Sequence, residues 1–369
     1  MKLSEILEIK KRIEFNLTEP ETLIKLIEDA KNKGDKVRKD IRRLRQVSSK
    51  ILSALMDQDF ILTEDLLQNV EMEKTAVGID GSFQLVGGTG GTWYAPISIA
   101  RVVFENGIKS KPHVDVFWAG IEEIKESDEH LPKVYAELMM LSGETKCLLN
   151  WGTKRKESIV FIDGAIVDPP DIRKCGKDYI KDRCEAITKC LEISNLIGCV
   201  KRPRDRFFIE FLTKTLDNSS KYLGEFPNDL YLMAHIFARV RANGYSGTLF
   251  TKWIDVSEVN PTYKLYKEHG VYVITSFFQK DVGSKIMRVD IPIEYSPSEN
   301  EKTTENIFKK CIKAVDFWTY PGQDYPIPIY LAHNKCNIRE GCAEVLYEEI
   351  MTRSRILNPE DHHILEWLR

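Results

Sequence analysis

The chain has 369 residues, of which 43% are hydrophobic and 30% are charged, and its formal net charge is -3. This composition is that of a globular protein rather than a disordered chain. No apolar run approaches the roughly 20 residues of a transmembrane helix, and the first residues lack the apolar core of a signal peptide, so we expect a cytoplasmic protein. The nearly balanced charge leaves a nucleic-acid partner open, because such binding depends on local basic surfaces.

The eight cysteines include no Cys-x-x-Cys pair, which is the spacing that structural zinc sites use. In a protein expected in the cytoplasm, such residues are typically reduced thiols that serve as small apolar side chains. The cysteine pattern therefore gives no indication of a disulfide framework or of a zinc cluster.

The first 70 residues have a helical pattern. Apolar residues recur there at helical spacing, as at Ile41, Leu44, Val47 and Ile51. From Thr75 onwards the pattern changes to that of strands. We predict a helical segment over residues 1–70, a main domain over residues 71–350 and a tail over residues 351–369.

Three strand-like stretches follow one another, over residues 76–79, 93–104 and 112–119. A glycine-rich turn over residues 87–91 separates the first two. Asn106-Gly107 is typical of a hairpin turn and separates the last two. This order predicts three consecutive strands joined by short turns.

The rest of the chain alternates between helices and strands. Apolar spacing predicts helices over residues 131–151, 178–197, 306–318, 329–349 and 362–369. Strands are predicted over residues 159–163, 199–200, 271–278 and 285–293. Three antiparallel strands followed by a helix and a parallel strand is the order of a ribonuclease-H-like fold. We therefore predict an α/β protein with a ribonuclease-H-like mixed sheet flanked by helices, preceded by the N-terminal helical segment.

Two strand-like runs end in the same signature. Residues 76–82 read Ala-Val-Gly-Ile-Asp-Gly-Ser and residues 159–165 read Ile-Val-Phe-Ile-Asp-Gly-Ala, so Asp80 and Asp163 each end an apolar run before a glycine. A buried strand holds such a carboxylate rigidly, and the glycine permits a sharp turn or the close approach of a ligand. One such aspartate is also typical of a turn cap. Two of them indicate paired carboxylates that bind a divalent metal ion.

A third carboxylate is expected on the helix between these strands. Glu137 and Glu144 are seven residues apart and share one helix face, and we prefer Glu144 because it lies nearer to Asp163 along the chain. Further on, His333 follows an apolar run that contains Tyr325, a pattern that alone indicates a core histidine. Beside a carboxylate cluster, the same histidine can bind metal, position a phosphate or transfer a proton, and the tyrosine can orient a phosphate or the attacking water.

The chain contains two basic runs. Residues 31–50 hold nine Lys or Arg against two acids, which most simply indicates a solvated helix face. Residues 201–206 contain Lys201, Arg202, Arg204 and Arg206 and precede Phe207 and Phe208. Because DNA phosphates attract Lys and Arg while aromatic rings stack on exposed bases, this second run indicates a DNA-binding loop. A basic turn followed by a core pair of phenylalanines is the alternative.

Four pieces of the sequence together resemble the NurA nucleases, the prokaryotic DNA-end-processing enzymes that work with the HerA helicase-translocase. The pieces are the Ile-Asp-Gly-Ser run at 79–82 before a strand hairpin, the helix with an acidic residue, the Phe-Ile-Asp-Gly run at 161–164, and Tyr325-Pro326 ahead of Ala332-His333. Their order and spacing extend over residues 76–340. The chain departs from the family pattern at Ala165, where the family usually has serine.

The resemblance implies a homodimer with a ribonuclease-H-like core that cleaves DNA with manganese or magnesium, two ions per site. It implies 5′-3′ exonuclease and single-strand endonuclease activities in DNA end resection for double-strand break repair, with a HerA-type hexameric ATPase as partner. Residues 71–350 would then be the nuclease domain. By motif position, the family's functional residues correspond to Asp80, Asp163, Glu144 or less securely Glu137, Tyr325 and His333.

Several alternatives remain open at this point. Asp168 and Asp290 lie near predicted strand ends and are further candidate ligands. An actin-like ATPase or sugar kinase shares the ribonuclease-H-like core and holds a metal-nucleotide with Asp-Gly turns, although the glycine run at 87–91 lacks the Lys-Ser or Lys-Thr of a P-loop. A non-catalytic protein that tethers DNA or a motor is the other alternative, and it would have no need of several buried carboxylates.

Overall fold

The computed structural model describes residues 19–354, apart from residues 88–90, 127, 129 and 217–219. The predicted helix over residues 362–369, most of the tail and the centre of the glycine-rich turn therefore lie outside the described residues. So do residues 1–18 of the predicted helical segment.

The helices of the described residues are α1 (Pro20–Asp57), α2 (Leu131–Gly152), α3 (Ile172–Leu191), α4 (Phe207–Thr215), α5 (Ser220–Leu223), α6 (Asp229–Ala242), α7 (Pro261–Glu268), α8 (Glu301–Trp318), α9 (Ile327–Cys336) and α10 (Glu340–Ser354). The strands are β1 (Ile61–Thr63), β2 (Ala76–Phe83), β3 (Val86–Gly87), β4 (Thr92–Phe104), β5 (His113–Lys125), β6 (Ile159–Asp163), β7 (Asn195–Val200), β8 (Leu249–Thr251), β9 (Ile254–Asp255), β10 (Tyr272–Gln279) and β11 (Met287–Ile293). A short 3-10 turn covers Glu64–Leu67.

All of these strands join one mixed sheet with the order β1-β8-β10-β11-β7-β6-β2-β4-β3, in which β5 pairs with β4 and β9 with β10. The hairpin β4–β5 is antiparallel to β2, whereas β6 runs parallel to β2 and β7 parallel to β6. Three antiparallel strands, a helix and two parallel strands thus succeed one another along the chain. This topology confirms the predicted ribonuclease-H-like sheet.

Alternation along the central strands divides the core into two layers. On one face, Val77, Ile79 and Val160 pack under helices α1, α2, α3, α4, α6 and α7. On the other face, Phe161 and Ile197 pack under α8 and α9. Because successive strand residues point to opposite faces, Gly78 and Asp80 lie on the α9 side of β2. The sheet is therefore covered by helices on both sides, as predicted.

Three predicted elements differ from the structure. The helix predicted over residues 178–197 ends at Leu191, and residues 195–200 form β7. The helix predicted over residues 329–349 is two helices, because the chain leaves the helical conformation between Cys336 and Glu340. Residues 61–67, predicted within the helical segment, form β1 and the 3-10 turn. In each case a contact distant in the sequence decides the conformation, such as the pairing of β1 with β8.

The predicted N-terminal helix is present as α1, which is 38 residues long. Among the helices that the structure describes, none has both the length and the apolar character needed to cross a membrane. The cysteines with described side chains are free thiols, and all of them are buried except Cys342.

Candidate metal centre

Asp80 and Asp163 lie side by side on adjacent strands in the middle of the sheet. The register of β2 and β6 pairs Ile79 with Ile162, so the two aspartates follow at equivalent positions on parallel strands. Because residues at equivalent positions of neighbouring strands point to the same face, their carboxylates converge. Asp80 is 4% exposed, and Asp163, the last residue of β6, is partly buried. The sheet therefore brings together the two aspartates of the repeated signature.

The third member of this cluster is His333 on α9. Its Nδ1 atom lies 2.8 Å from Asp80 Oδ2 and 3.8 Å from Asp163 Oδ2. One ligand atom from each of the three residues lies within 4.8 Å of the others, the spacing expected around a single ion. The His333 side chain is 42% exposed, so this histidine faces the cluster and solvent rather than the core.

Gly78 explains how α9 comes close enough to deliver His333. A Cβ atom at this position would lie 2.2 Å from the Pro328 carbonyl oxygen, a distance that no real Cβ contact allows. The absence of a side chain lets the first turn of α9 rest directly on the backbone of β2. One and a half turns later, His333 then lies beside Asp80.

The charges of this cluster shift its proton equilibria. The hydrogen bond to Asp80 stabilises the imidazolium and raises the pKa of His333. Burial and the nearby Asp80 carboxylate raise the pKa of Asp163, and the Lys201 ammonium opposes them. A bound cation would offset both the cost of burying the Asp163 charge and its repulsion from Asp80, because it would supply positive charge between the carboxylates.

Glu144 approaches the same strand from the opposite face of the sheet. Its Oε1 atom would lie 2.9 Å from a Cβ atom at Gly81, so the missing side chain of that glycine leaves room for the carboxylate. Glu144 is 2% exposed, and burial followed by the Asp80 charge raises its pKa well above the ordinary value. Glu137, the open alternative, is only half-buried, and its charge acts on Asp168. The structure thus places Glu144 next to Asp80, although outside the 4.8 Å group.

Lys201 and Tyr325 border the cluster on the other side. The Lys201 ammonium donates a hydrogen bond to Asp163 Oδ2 and lies 3.9 Å from the centroid of the Tyr325 ring. Burial disfavours the charged ammonium, but the adjacent Asp163 outweighs it and raises the pKa of Lys201. Lys201, predicted as a phosphate ligand, is therefore also a positive charge held at the carboxylates.

The remaining arginines of the basic run have different environments. Arg202 and Arg204 are exposed, as a DNA-binding role requires. Arg206 donates to the carbonyl oxygens of Phe226 at 2.6 Å and Pro227 at 2.9 Å, so it fixes a loop within the chain. Phe208 is fully buried against Phe60 and Phe277 and offers no surface to a base.

The two further candidate ligands lie apart from the three-residue group. Both carboxylate oxygens of Asp290 accept hydrogen bonds at 2.8 Å from the buried Arg288, so that side chain is already neutralised. Asp168 lies close to Gly164, and burial raises its pKa to about 6. Neither side chain belongs to the group around Asp80.

Two residues that lie near the carboxylates of the site were not predicted from the sequence. Cys336 approaches Asp80 Oδ2 with its Sγ atom at 3.6 Å, and its position three residues after His333 was the available signal, because such residues share a helix face. Arg183 on α3 is fully buried, and its charge acts on Glu144 and Asp168. No motif marks it, since its neighbours come from α2 and from the loop after β6.

Comparison with known proteins identifies a family and a solved structure that are similar to this chain. The family model for the NurA domain matches residues 74–338, which is most of the chain. The crystal structure of the NurA nuclease from Sulfolobus solfataricus aligns with a TM-score of 0.58 at 14% identity, covering 91% of this chain and 99% of that one. No curated protein sequence matches the chain.

Two further solved structures align less well. A crystal structure of NurA gives a TM-score of 0.46 at 11% identity, covering 81% of this chain and 91% of that one. Endonuclease V from Ciona intestinalis, in a complex with DNA, gives a TM-score of 0.31 at 13% identity, covering 78% of this chain and 95% of that one. These two scores are too low to support an argument, but the family model covers the strands and helices that carry Asp80, Asp163 and His333. The chain belongs to the NurA family of nucleases.

Proposed function

We propose that this nuclease hydrolyses DNA phosphodiester bonds with a divalent metal ion held by Asp80, Asp163 and His333. The observation that supports this most directly is the convergence of their ligand atoms within 4.8 Å beside strands β2 and β6. Glu144 is proposed as the carboxylate of a second ion, because it lies on the other side of β2 next to Asp80. Glu137 is not retained for this role.

The donor set fits magnesium or manganese. Carboxylate oxygens suit both ions, and an imidazole nitrogen favours manganese. The burial of Asp163 and its repulsion from Asp80 give a cation a further reason to bind. The Lys201 ammonium already offsets part of the Asp163 charge, so it would have to turn away from that carboxylate to make room for an ion. When bound, the ions would stabilise charge on the phosphate and make water a stronger nucleophile at neutral pH.

The other side chains of the site have separate proposed roles. Lys201 and Tyr325 form a pair beside Asp163, from which the ammonium can contact a phosphate oxygen and the phenol can orient the substrate. His333 is proposed to donate a hydrogen bond from Nδ1 to Asp80 Oδ2, and this proton would have to pass to solvent before the nitrogen could hold a cation beside the carboxylates. Arg202 and Arg204 are the exposed cations proposed to contact the DNA backbone.

Finer aspects of the function rest on family membership. We infer 5′-3′ exonuclease and single-strand endonuclease activities in DNA end resection for double-strand break repair. We also infer a homodimer, a HerA-type hexameric ATPase as partner and a cytoplasmic location. The nuclease domain is proposed over residues 71–350, after a helical segment over residues 1–70.

The test uses end-labelled linear DNA with manganese, with magnesium and with chelator. Wild-type protein should cleave only with metal. Asp80→Asn should lose cleavage because it replaces a charged ligand by a neutral side chain of nearly equal size. Asp178→Asn, an exposed aspartate on α3, is the matched control and should keep full activity. Metal-independent cleavage, or an active Asp80→Asn protein, would refute the site. Nucleotide binding without DNA cleavage would favour the ATPase alternative.

A further inference from the structure

A cleft of about 370 Å³ lies between α1 and α6, two helices that cover the same face of the sheet. Its walls carry Arg45, Arg239 and His235. Its floor is formed by three alanines that repeat every four residues on one face of α6: Ala234, Ala238 and Ala242. Small side chains at this spacing leave the cleft open along the helix.

The two arginines of the cleft are not neutralised. Arg38 pairs with Asp35 and Arg43 with Glu225, but no carboxylate of the described residues lies within 4.0 Å of Arg45 or Arg239. Arg239 instead donates to Ser49 Oγ at 2.6 Å, which fixes its guanidinium at the cleft wall. The Arg45 side chain is exposed at the mouth of the cleft. Unpaired guanidinium groups are suited to an anion with several oxygens, and Arg239 is already held in position for one.

The third polar wall of the cleft is held by aromatic contacts. The His235 ring packs at 5.1 Å from the Tyr231 ring and at 5.7 Å from the Phe226 ring. Burial and the nearby Arg45 lower the pKa of His235, so the neutral imidazole can donate a single N–H to an anion. Because Arg45, Arg239 and His235 line the same cleft, each can donate to a phosphate that is bound there.

The surroundings of the cleft favour a polymer of phosphates over a small anion. Helix α1 has 38 residues and spans roughly 57 Å. N-terminal to the cleft it carries five exposed cations that are distributed around the helix, with Asp35 and Asp40 among them: Lys31, Lys33, Lys36, Lys39 and Arg42. This excess of cations extends over several helical turns, so it attracts a chain of phosphates more strongly than one free phosphate.

We propose that the α1–α6 cleft binds a backbone phosphate of DNA, with Arg45, Arg239 and His235 as its ligands, and that the positive charge of α1 attracts the strand to it. This proposal rests on the DNA-cleaving function proposed above. It adds a phosphate site on helices that carry none of the proposed metal ligands.

The main test measures binding of a fluorescein-labelled oligonucleotide to the full chain in chelator, by anisotropy at several salt concentrations. Arg45→Gln should weaken binding, and the slope of log K against log salt should fall by about 1 for each phosphate that the protein no longer neutralises. Lys302→Gln on α8, an equal change of charge across the sheet, should leave the slope unchanged. Equal slopes for wild type and Arg45→Gln would overturn the proposal.

A second pair of variants tests the cleft without removing either arginine, so a change in binding cannot come from the loss of an arginine's structural contacts. Ala238 is exposed in the cleft, so Ala238→Glu places a negative charge there, while Ala238→Gln adds nearly the same volume without charge. Binding should fall for Ala238→Glu and be largely kept for Ala238→Gln. Equal binding by the two variants would overturn the assignment of a phosphate to the cleft.

Two further arms separate the possible sources of failure. A small chromogenic phosphodiester, thymidine 5′-(p-nitrophenyl phosphate), should be cleaved equally by wild type, Arg45→Gln and Ala238→Glu, because it does not reach the cleft. A wild-type protein that cleaves neither this ester nor DNA would contradict the proposed function itself. Inorganic phosphate should shift the His235 imidazole signals in NMR spectra only at concentrations far above those at which the oligonucleotide shifts them. Saturation of those signals by free phosphate at the oligonucleotide's own concentration would overturn the assignment to the DNA backbone.

Discussion

The buried carboxylate of Glu144 lowers the stability of the fold at neutral pH. A carboxylate that is buried beside Asp80 without a metal ion is unfavourable in its charged form. The folded protein therefore keeps a proton on Glu144 at pH values where the unfolded chain, with the ordinary pKa of 4.5, has lost it. The folded state then binds more protons, so the free energy of unfolding falls as the pH rises above 4.5.

Glu144→Gln tests this conflict, because glutamine has the shape of the protonated acid and no proton to lose. In chelator at pH 8, we expect the variant to be more stable than wild type, because burial and the Asp80 charge raise the pKa of Glu144 and make its carboxylate unfavourable in the folded state. Near pH 4 the two should be almost equal. Denaturant titrations at both pH values measure this difference. Metal-dependent cleavage by the variant should fall at least tenfold.

Glu185→Gln on the exposed side of α3 provides the matched control for Glu144→Gln and should change neither stability nor cleavage. A Glu144→Gln protein with unchanged stability at pH 8 would show that the carboxylate is already paired or solvated. Full cleavage by the variant would remove Glu144 from the proposed site and leave the second ion without its assigned ligand.

The close packing of Gly78 against α9 lies directly next to the proposed metal site. Gly78→Ala adds one methyl group where the Pro328 carbonyl already lies within contact distance, so α9 must move away from β2. We expect a loss of about 1–3 kcal/mol in the free energy of unfolding, as for other overpacked sites. Because His333 moves with α9, cleavage should fall more than the loss of folded protein explains. Thermal unfolding and specific activity, compared at a temperature where the variant is folded, measure both effects.

Gly34→Ala is the control, because Gly34 lies within α1 and a Cβ atom there meets nothing within 4 Å. That substitution should stabilise the helix by about 0.5–1 kcal/mol and leave cleavage unchanged. If Gly78→Ala resembled Gly34→Ala, the close approach of α9 to β2 would not be what positions His333.

At the scale of elements, Asp229 connects two helices that cover one face of the sheet. Its carboxylate oxygens each accept a backbone N–H at 2.9 Å, from Phe208 and from Ile209, and so cap the first turn of α4 from the start of α6. Asp229→Ala leaves those two donors unpaired in the core and should lower the free energy of unfolding by about 1–3 kcal/mol. Glu210→Ala, an exposed change on the same helix, should cost under about 1 kcal/mol. Equal losses in chemical denaturation would argue against the cap.

The elements also show how far the sequence determines this fold. The apolar run and the Asp-Gly signature of β2 and β6 predict both strands, because each pattern is local. The start of the run at 195–200 is instead predicted as helix, because a strand buried on both faces is as continuously apolar as a buried helix. The break between α9 and α10 depends on hydrogen bonds from Gln84 to Ile338 and from Ile338 to Ser82, which join segments more than 250 residues apart.

The candidate site is predictable to a similar degree. Asp80, Asp163 and His333 can be identified because their residue types and local patterns carry chemistry, and the structure brings them together. Their spacing depends instead on Gly78, whose closeness to Pro328 no local window reveals. Arg206 is grouped with its basic neighbours for the same reason, since only the fold shows that its guanidinium is bonded to two carbonyl oxygens.

For the whole molecule, the site lies where the two layers of the core meet. Asp80 contacts α9 on one side of the sheet, and Glu144 reaches β2 from α2 on the other. An ion that joins these side chains would therefore connect helices of both layers through the central strand. Such an ion binds the folded chain and not the unfolded one, so it should stabilise the whole domain.

Manganese should accordingly raise the free energy of unfolding of the wild type by about 2.7 kcal/mol at a concentration 100 times the dissociation constant. Asp80→Asn should lose most of this gain, and Asp178→Asn should keep it. Thermal unfolding over a manganese titration, without DNA, measures the effect independently of cleavage. An equal rise for all three proteins would mean that the ion binds elsewhere. No rise in the wild type would mean that the carboxylates hold metal only after DNA has supplied a phosphate oxygen as a further ligand.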